Sequence, residues 1–125
     1  MFPKGIKNPS EHFHGTSWTY ELIPNDTIYN LYSGSVHFEP NSYTDWHSHP
    51  GGQILIITEG VGYYQEMGKI KKVIKKGDIV KCPPNVKHWH GASPNHSMTF
   101  IHSIPNTENG YLNWSNEVTN SEYFK

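Results

Sequence analysis

Arginine is absent from this chain: all ten basic residues are lysines. Without the planar guanidinium fork there is no bidentate clamp for a carboxylate or phosphate, which argues against an anionic substrate held that way. Cysteine is almost absent too. Cys82 stands alone, so no internal disulfide can form; that fits a reducing cytosol, and a cytoplasmic location is the expectation. Long apolar runs are missing: Ile54–Ile57 is only four residues long, far short of a membrane span, and Met1–Lys7 lacks the apolar stretch of a signal peptide. An excess of one charge is lacking as well. A formal net charge of -1 gives no electrostatic reason to expect nucleic acid or a membrane surface as partner.

The chain has aromatics at 14%, with eleven glycines, nine prolines and nine histidines in 125 residues. One domain over residues 1–125 is expected, with a barrel core at about 30–105. Strand-like runs recur at roughly 16–23, 30–38, 43–49, 53–58, 61–66, 70–75, 79–82, 86–91 and 97–104. Turn chemistry separates them, at Pro24-Asn25-Asp26, Glu39-Pro40-Asn41, Glu59-Gly60, Met67-Gly68, Lys76-Gly77-Asp78, Pro83-Pro84-Asn85 and Ser93-Pro94-Asn95. Such spacing predicts an all-β sandwich or barrel. Thr119 with Glu122 forms a capping-box pattern that predicts a short terminal helix, and Tyr111–Trp114 is expected to pack on the outside of the barrel.

Histidine is where chemistry concentrates. His47 and His49 are two residues apart, so on an extended strand both face the same way, and Gln53 has the same parity. His88 arrives from a distant strand-like segment. Three imidazoles and an amide oxygen converging inside a small barrel would hold one divalent transition metal and leave a coordination position open for chemistry. The plainer alternative is a set of core polar residues satisfied by hydrogen bonds.

The stretch Trp46–Gln53, followed by Gly60, resembles the first cupin motif, and Gly77-Asp78 with Pro83–His88 resembles the second. This resemblance implies a double-stranded β-helix, or jelly-roll, cupin barrel with a short C-terminal helix or arm and the metal in its mouth. Gly52-Gln53, Lys87-His88-Trp89-His90-Gly91 and the tail around Trp114, Glu117-Val118-Thr119 and Tyr123 are similar to small cupins that include the manganese-dependent hydroxynitrile (mandelonitrile) lyases. Two departures stand out. The broader cupin pattern has a glutamate where Gln53 stands. The lyases carry an active-site histidine, suggested as general base, where this chain has Phe100, and a glutamine where it has Ile104.

His102, two residues beyond Phe100 on the same face, is the candidate replacement base, with ordinary packing as the alternative. Thr44 is the second candidate catalytic residue, able to contact a substrate oxygen or simply to tie down a turn. His90 either orients a ligand or packs. His12 and His14 are read as surface or dimer-contact residues, His96 as solvated, His37 as undecided by parity, and Cys82 as buried packing. The expected function is a metal-dependent, lyase-like enzyme using the ion as Lewis acid on a small carbonyl or cyanohydrin-type substrate. The competing expectations are a cupin dioxygenase or other redox enzyme, and a metal-binding small-molecule sensor without turnover. Manganese or iron is the expected ion, although the same donors accept nickel or zinc. A small-molecule substrate and a homodimer are the expected partners.

Overall fold

A computed structural model describes residues 1–125. Twelve strands run antiparallel in one curled sheet, joined by turns that carry left-handed Asn or Gly at Asn41, Gly68, Gly77 and Asn85. The N-terminal part supplies β1 (Ile6–Lys7), β2 (Phe13–His14), β3 (Ser17–Ile23) and β4 (Tyr32–Phe38). Next come β5 (Tyr43–Thr44), β6 (His47–Ser48), β7 (Gln53–Glu66), β8 (Lys72–Lys75) and β9 (Ile79–Cys82). The set closes with β10 (His88–Ala92), β11 (Met98–Ile104), β12 (Asn113–Trp114) and the helix α1 (Asn120–Phe124).

The order across the main path is β1-β3-β4-β11-β7-β10-β5-β2. Sequence spacing suggested two strands over 53–66; the structure has one, bent rather than broken at Glu59-Gly60. The reason is that β7 serves both halves of the sheet. Its first part pairs with β11 and β9, and its second part with β10 and β8. Gly60 makes the bend with φ of 82°, and a Cβ there would sit 1.9 Å from the Ser97 carbonyl oxygen, so no other residue fits. The expected strand over 43–49 is likewise two short pieces, β5 and β6, with Asp45-Trp46 between them.

Alternation decides what lies inside. On β11, Met98, Phe100 and Ile104 are fully buried, and they meet Val36 and Phe38 of β4 with Leu55 and Ile57 of β7. A second apolar cluster lies on the other side of β10 and β5: Tyr43, Trp46, Trp89, Val118 and Tyr123. The terminal helix forms as its sequence pattern predicts, with Thr119 accepting from the Glu122 backbone and Glu122 reaching back to Thr119. It serves to dock Tyr123, whose ring stacks on Tyr43 at 4.2 Å and whose hydroxyl donates to the Ala92 carbonyl.

Two expectations are corrected here. Tyr111–Trp114 does not pack outside: β12 pairs with β6, and Tyr111, Leu112 and Trp114 wall the interior cavity, because Trp114 lies directly opposite His47. His12 and His14 are not simple surface residues. Both are part-buried and bond the carboxylate of buried Asp45, His12 through Nδ1 at 3.2 Å and His14 through Nε2 at 2.5 Å.

Candidate metal centre

β6 and β10 are antiparallel neighbours, with His47 directly opposite His88. Gly52, at φ of 86°, turns the chain after His49 so that Gln53 enters β7 pointing inward. The result is a knot of imidazoles. Ring centroids of His47 lie 4.4 Å from His88 and 5.3 Å from His49, and His49 lies 5.8 Å from His88. All three rings are buried, as is Gln53.

Hydrogen bonding fixes the orientation of each ring. Nδ1 of His47 donates to the Asp45 carbonyl at 2.8 Å, Nδ1 of His49 to the Tyr111 carbonyl at 2.7 Å, and Nδ1 of His88 to the Val86 carbonyl at 3.1 Å. A carbonyl oxygen only accepts, so each Nδ1 carries the proton and each Nε2 presents a lone pair. Histidines that ligate metals are held in this way. Nε2 of His49 is buried without any partner.

Nε2 of His88 faces Oε1 of Gln53 at 3.0 Å. Gln53 is oriented by its other end, since its Nε2 donates to Nδ1 of His102 at 3.0 Å. Two lone pairs therefore confront each other, an arrangement that repels unless a cation lies between them. Protonating His88 is the other way out, and burial opposes it. Burial pushes the His88 imidazole down to about 4, and holds His47 well below its usual value, with help from the neighbouring imidazoles. His49 is lowered by burial too, partly offset by its bond to the Tyr111 carbonyl. Neutral imidazole is the form that binds metal. The donor set thus fits a divalent ion.

Nitrogens of His47, His88 and His90 also lie within 4.8 Å of one another, so His90 belongs to the same knot. It differs from the other three. Neither of its ring nitrogens has a partner, whereas each of theirs is tied through Nδ1 to a backbone carbonyl. Its ring is packed edge-on to Phe100 at 5.2 Å, and its backbone N–H donates to Thr44 Oγ1 at 3.3 Å.

Beside the knot is a cavity of about 280 Å³. His47, His49, Gln53, His90 and His102 reach it on one side, and Phe38, Phe100, Leu112 and Trp114 give it apolar walls. Thr44 lines it as well, buried. No lysine, aspartate or glutamate contributes to the lining. His102 is buried, held down to about 4 chiefly by desolvation, and its Nε2 has no partner. His37 bonds Thr99 and Glu39, and His96 bonds Ser93, all away from the cavity. Cys82 is buried in the main core, and burial pushes its thiol up to about 12, so it is inert packing.

Comparison with known proteins places this geometry. The family model for the cupin domain matches residues 34–104. The chain belongs to the cupin family. It is 37% identical over 117 residues to the (R)-mandelonitrile lyase of Granulicella tundricola, covering 94% of this chain and 89% of that protein. A cupin-like protein from Thermotoga maritima superposes with a TM-score of 0.96 at 44% identity, over 98% of this cupin and 93% of that chain. A conserved protein with a double-stranded β-helix domain from Klebsiella pneumoniae superposes with a TM-score of 0.69 at 19% identity, over 94% and 97% of the two chains. That last likeness concerns the fold alone: this cupin is a double-stranded β-helix, all-β apart from its short helix.

Sequence reasoning overlooked two parts of the site. Asp45, between the aromatic and histidine positions of the first motif, is the buried anchor for His12, His14 and the Val118 backbone N–H. A lone aspartate in an otherwise apolar, aromatic stretch was the available signal. Tyr111 supplies the carbonyl that orients His49; a backbone role of that kind leaves no trace in side-chain pattern.

Proposed function

We propose that this cupin is a metal-dependent enzyme of lyase type, acting on a small uncharged carbonyl or cyanohydrin-type substrate. His47, His49, Gln53 and His88 hold the ion, with manganese or iron the metals we favour. The observation that carries this reading is the lone-pair confrontation of His88 Nε2 and Gln53 Oε1 at 3.0 Å, beside the unpartnered His49 Nε2. When bound, the ion supplies Lewis-acid stabilisation of negative charge developing on a substrate oxygen. A neutral donor set leaves that positive charge uncompensated, which favours such chemistry.

The chain's own residues do the rest. The cavity excludes bulk water and takes an apolar group between Phe38, Phe100 and Trp114. His102, buried at its edge, is positioned to exchange a proton or hydrogen bond with the substrate, and the Thr44 hydroxyl can donate to a substrate oxygen while accepting from the His90 backbone. The 37% identity to an (R)-mandelonitrile lyase supports cyanohydrin cleavage as the first reaction to assay.

Metal content by plasma mass spectrometry, on untagged wild type and a folded His88→Ala variant, tests the reading. Near-stoichiometric ion in the wild type, lost in the variant, together with aldehyde release from cyanohydrins, is the expected result. No metal after reconstitution with manganese, iron, nickel and zinc would overturn the reading. Metal with oxygen uptake, but without cyanohydrin cleavage, would transfer the site to redox chemistry.

A further inference from the structure

The metal reading uses His47, His49, Gln53 and His88 and leaves two buried histidines with nothing to do. Each has a ring nitrogen without a partner, and both line the cavity. Their polarity differs, and the network fixes it. The Gln53 amide donates to His102 Nδ1, so that nitrogen is the acceptor and the single hydrogen of the neutral ring resides on Nε2. Toward the cavity, His102 is therefore a donor. His90 has no partner on either nitrogen, and it is the one histidine of the knot with a lone pair committed to neither a protein group nor the ion. Its ring is held in place by Phe100 at 5.2 Å and Phe38 at 6.1 Å, which offer no hydrogen bond, so the missing partner must come from the cavity.

Resting on the proposed metal site, we infer that His90 and His102 select the substrate by reading a pair of neighbouring groups: His90 accepts from a hydroxyl, and His102 donates to an acceptor such as a nitrile or carbonyl. The ligand class is then an uncharged α-hydroxynitrile or α-hydroxycarbonyl with one apolar substituent, since the lining has no charged residue to bind an acid or an amine. His90 is a substrate-contacting residue, not a fifth metal ligand. A simple alcohol leaves the His102 donor unpaired, and a simple ketone leaves the His90 acceptor unpaired.

Binding separates these roles without turnover. 2-Hydroxyacetophenone and 2-methoxyacetophenone present the same pair of oxygens to an ion, and only the first has a hydroxyl hydrogen for His90. Their affinities are measured by calorimetry on the manganese-loaded protein, for wild type, His90→Leu and His90→Gln, with metal content and melting temperature recorded for each. The wild type is expected to prefer the hydroxy compound by about tenfold or more. His90→Leu should reduce that preference to about twofold, with manganese content unchanged, and His90→Gln should restore most of it through the amide oxygen. An unchanged preference in a metal-loaded His90→Leu variant overturns the inference alone. Loss of manganese from His90→Leu, while His49→Ala retains it, also overturns it by making His90 a ligand. Absence of metal from the wild type overturns the metal reading beneath it.

Discussion

Gln53 is the residue on which most of the site turns, because it touches three things at once: the His88 nitrogen, His102 and the cavity. Gln53→Glu tests this. A carboxylate adds a full negative charge to an otherwise neutral donor set, so manganese should bind at least about tenfold more tightly, measured by competition with a chelator. The same change removes the donor to His102. That ring must then turn its hydrogen onto Nδ1, leaving a lone pair where a donor had faced the cavity, and carbonyl-containing ligands should bind more weakly despite the tighter metal. Phe100 offers the complementary test. It is fully buried at the position where the resembling lyases carry a histidine. Phe100→His should raise cyanohydrin cleavage by about tenfold or more, read as initial rates of aldehyde release. It should also lower stability by about 1–3 kcal/mol in urea unfolding, since a polar ring replaces a packed aromatic one. An unchanged rate would mean that the proton is already handled from His90 or His102.

Elements differ in how they were legible. The inner and outer faces of β4, β7 and β11 follow from the alternation of Val36, Phe38, Leu55, Ile57, Met98 and Phe100, and the cap of α1 follows from Thr119 and Glu122. The helix has only five residues and no stability of its own, so Tyr123 anchors it. Tyr123→Ala should cost on the order of 3 kcal/mol in unfolding free energy, by opening a void among Tyr43, Trp89 and Val118. Thr119→Ala, which loses only the cap, should cost about 1 kcal/mol. If the two variants proved equally mild, the helix would be an appendage and not part of the core. What the pattern concealed were elements of two residues. β1, β2, β6 and β12 are too short to show a period, and they form because a partner strand is already in place. The site suffered in the same way: His47 and His88 were visible as a motif, whereas the placement of Trp114 opposite His47 depends on a pairing that spans most of the chain.

The molecule as a whole buries more imidazole than a small core ordinarily contains, and this sets its response to pH. His88 and His102 are both held down to about 4 by burial, and His47 and His90 lie well below their usual range. The folded-state values are lower than those of the unfolded chain, so the unfolded state takes up protons first as pH falls. Stability is fully present above about pH 6.5 and is lost between there and about pH 4, as unfolded histidines protonate and folded ones do not. By about pH 5, His88 and His102 should each have cost on the order of 2 kcal/mol, a large share of the total for a domain of this size. Metal-free protein should therefore show a urea midpoint that is flat from about pH 8 to 7 and falls steeply below 6.5. Manganese at about a hundredfold above its dissociation constant should add about 2.7 kcal/mol at neutral pH. That gain should vanish on acidification, because the ligands bind the ion only as neutral rings, so the loaded protein should lose stability more steeply than the metal-free one. Parallel urea curves at about pH 7.5, 6 and 5, with and without the ion, measure both slopes. A metal-free midpoint that stayed level to pH 5 would mean that the imidazole knot opens to water, and that the lone pair of His88 is not held against Gln53 as the structure places it.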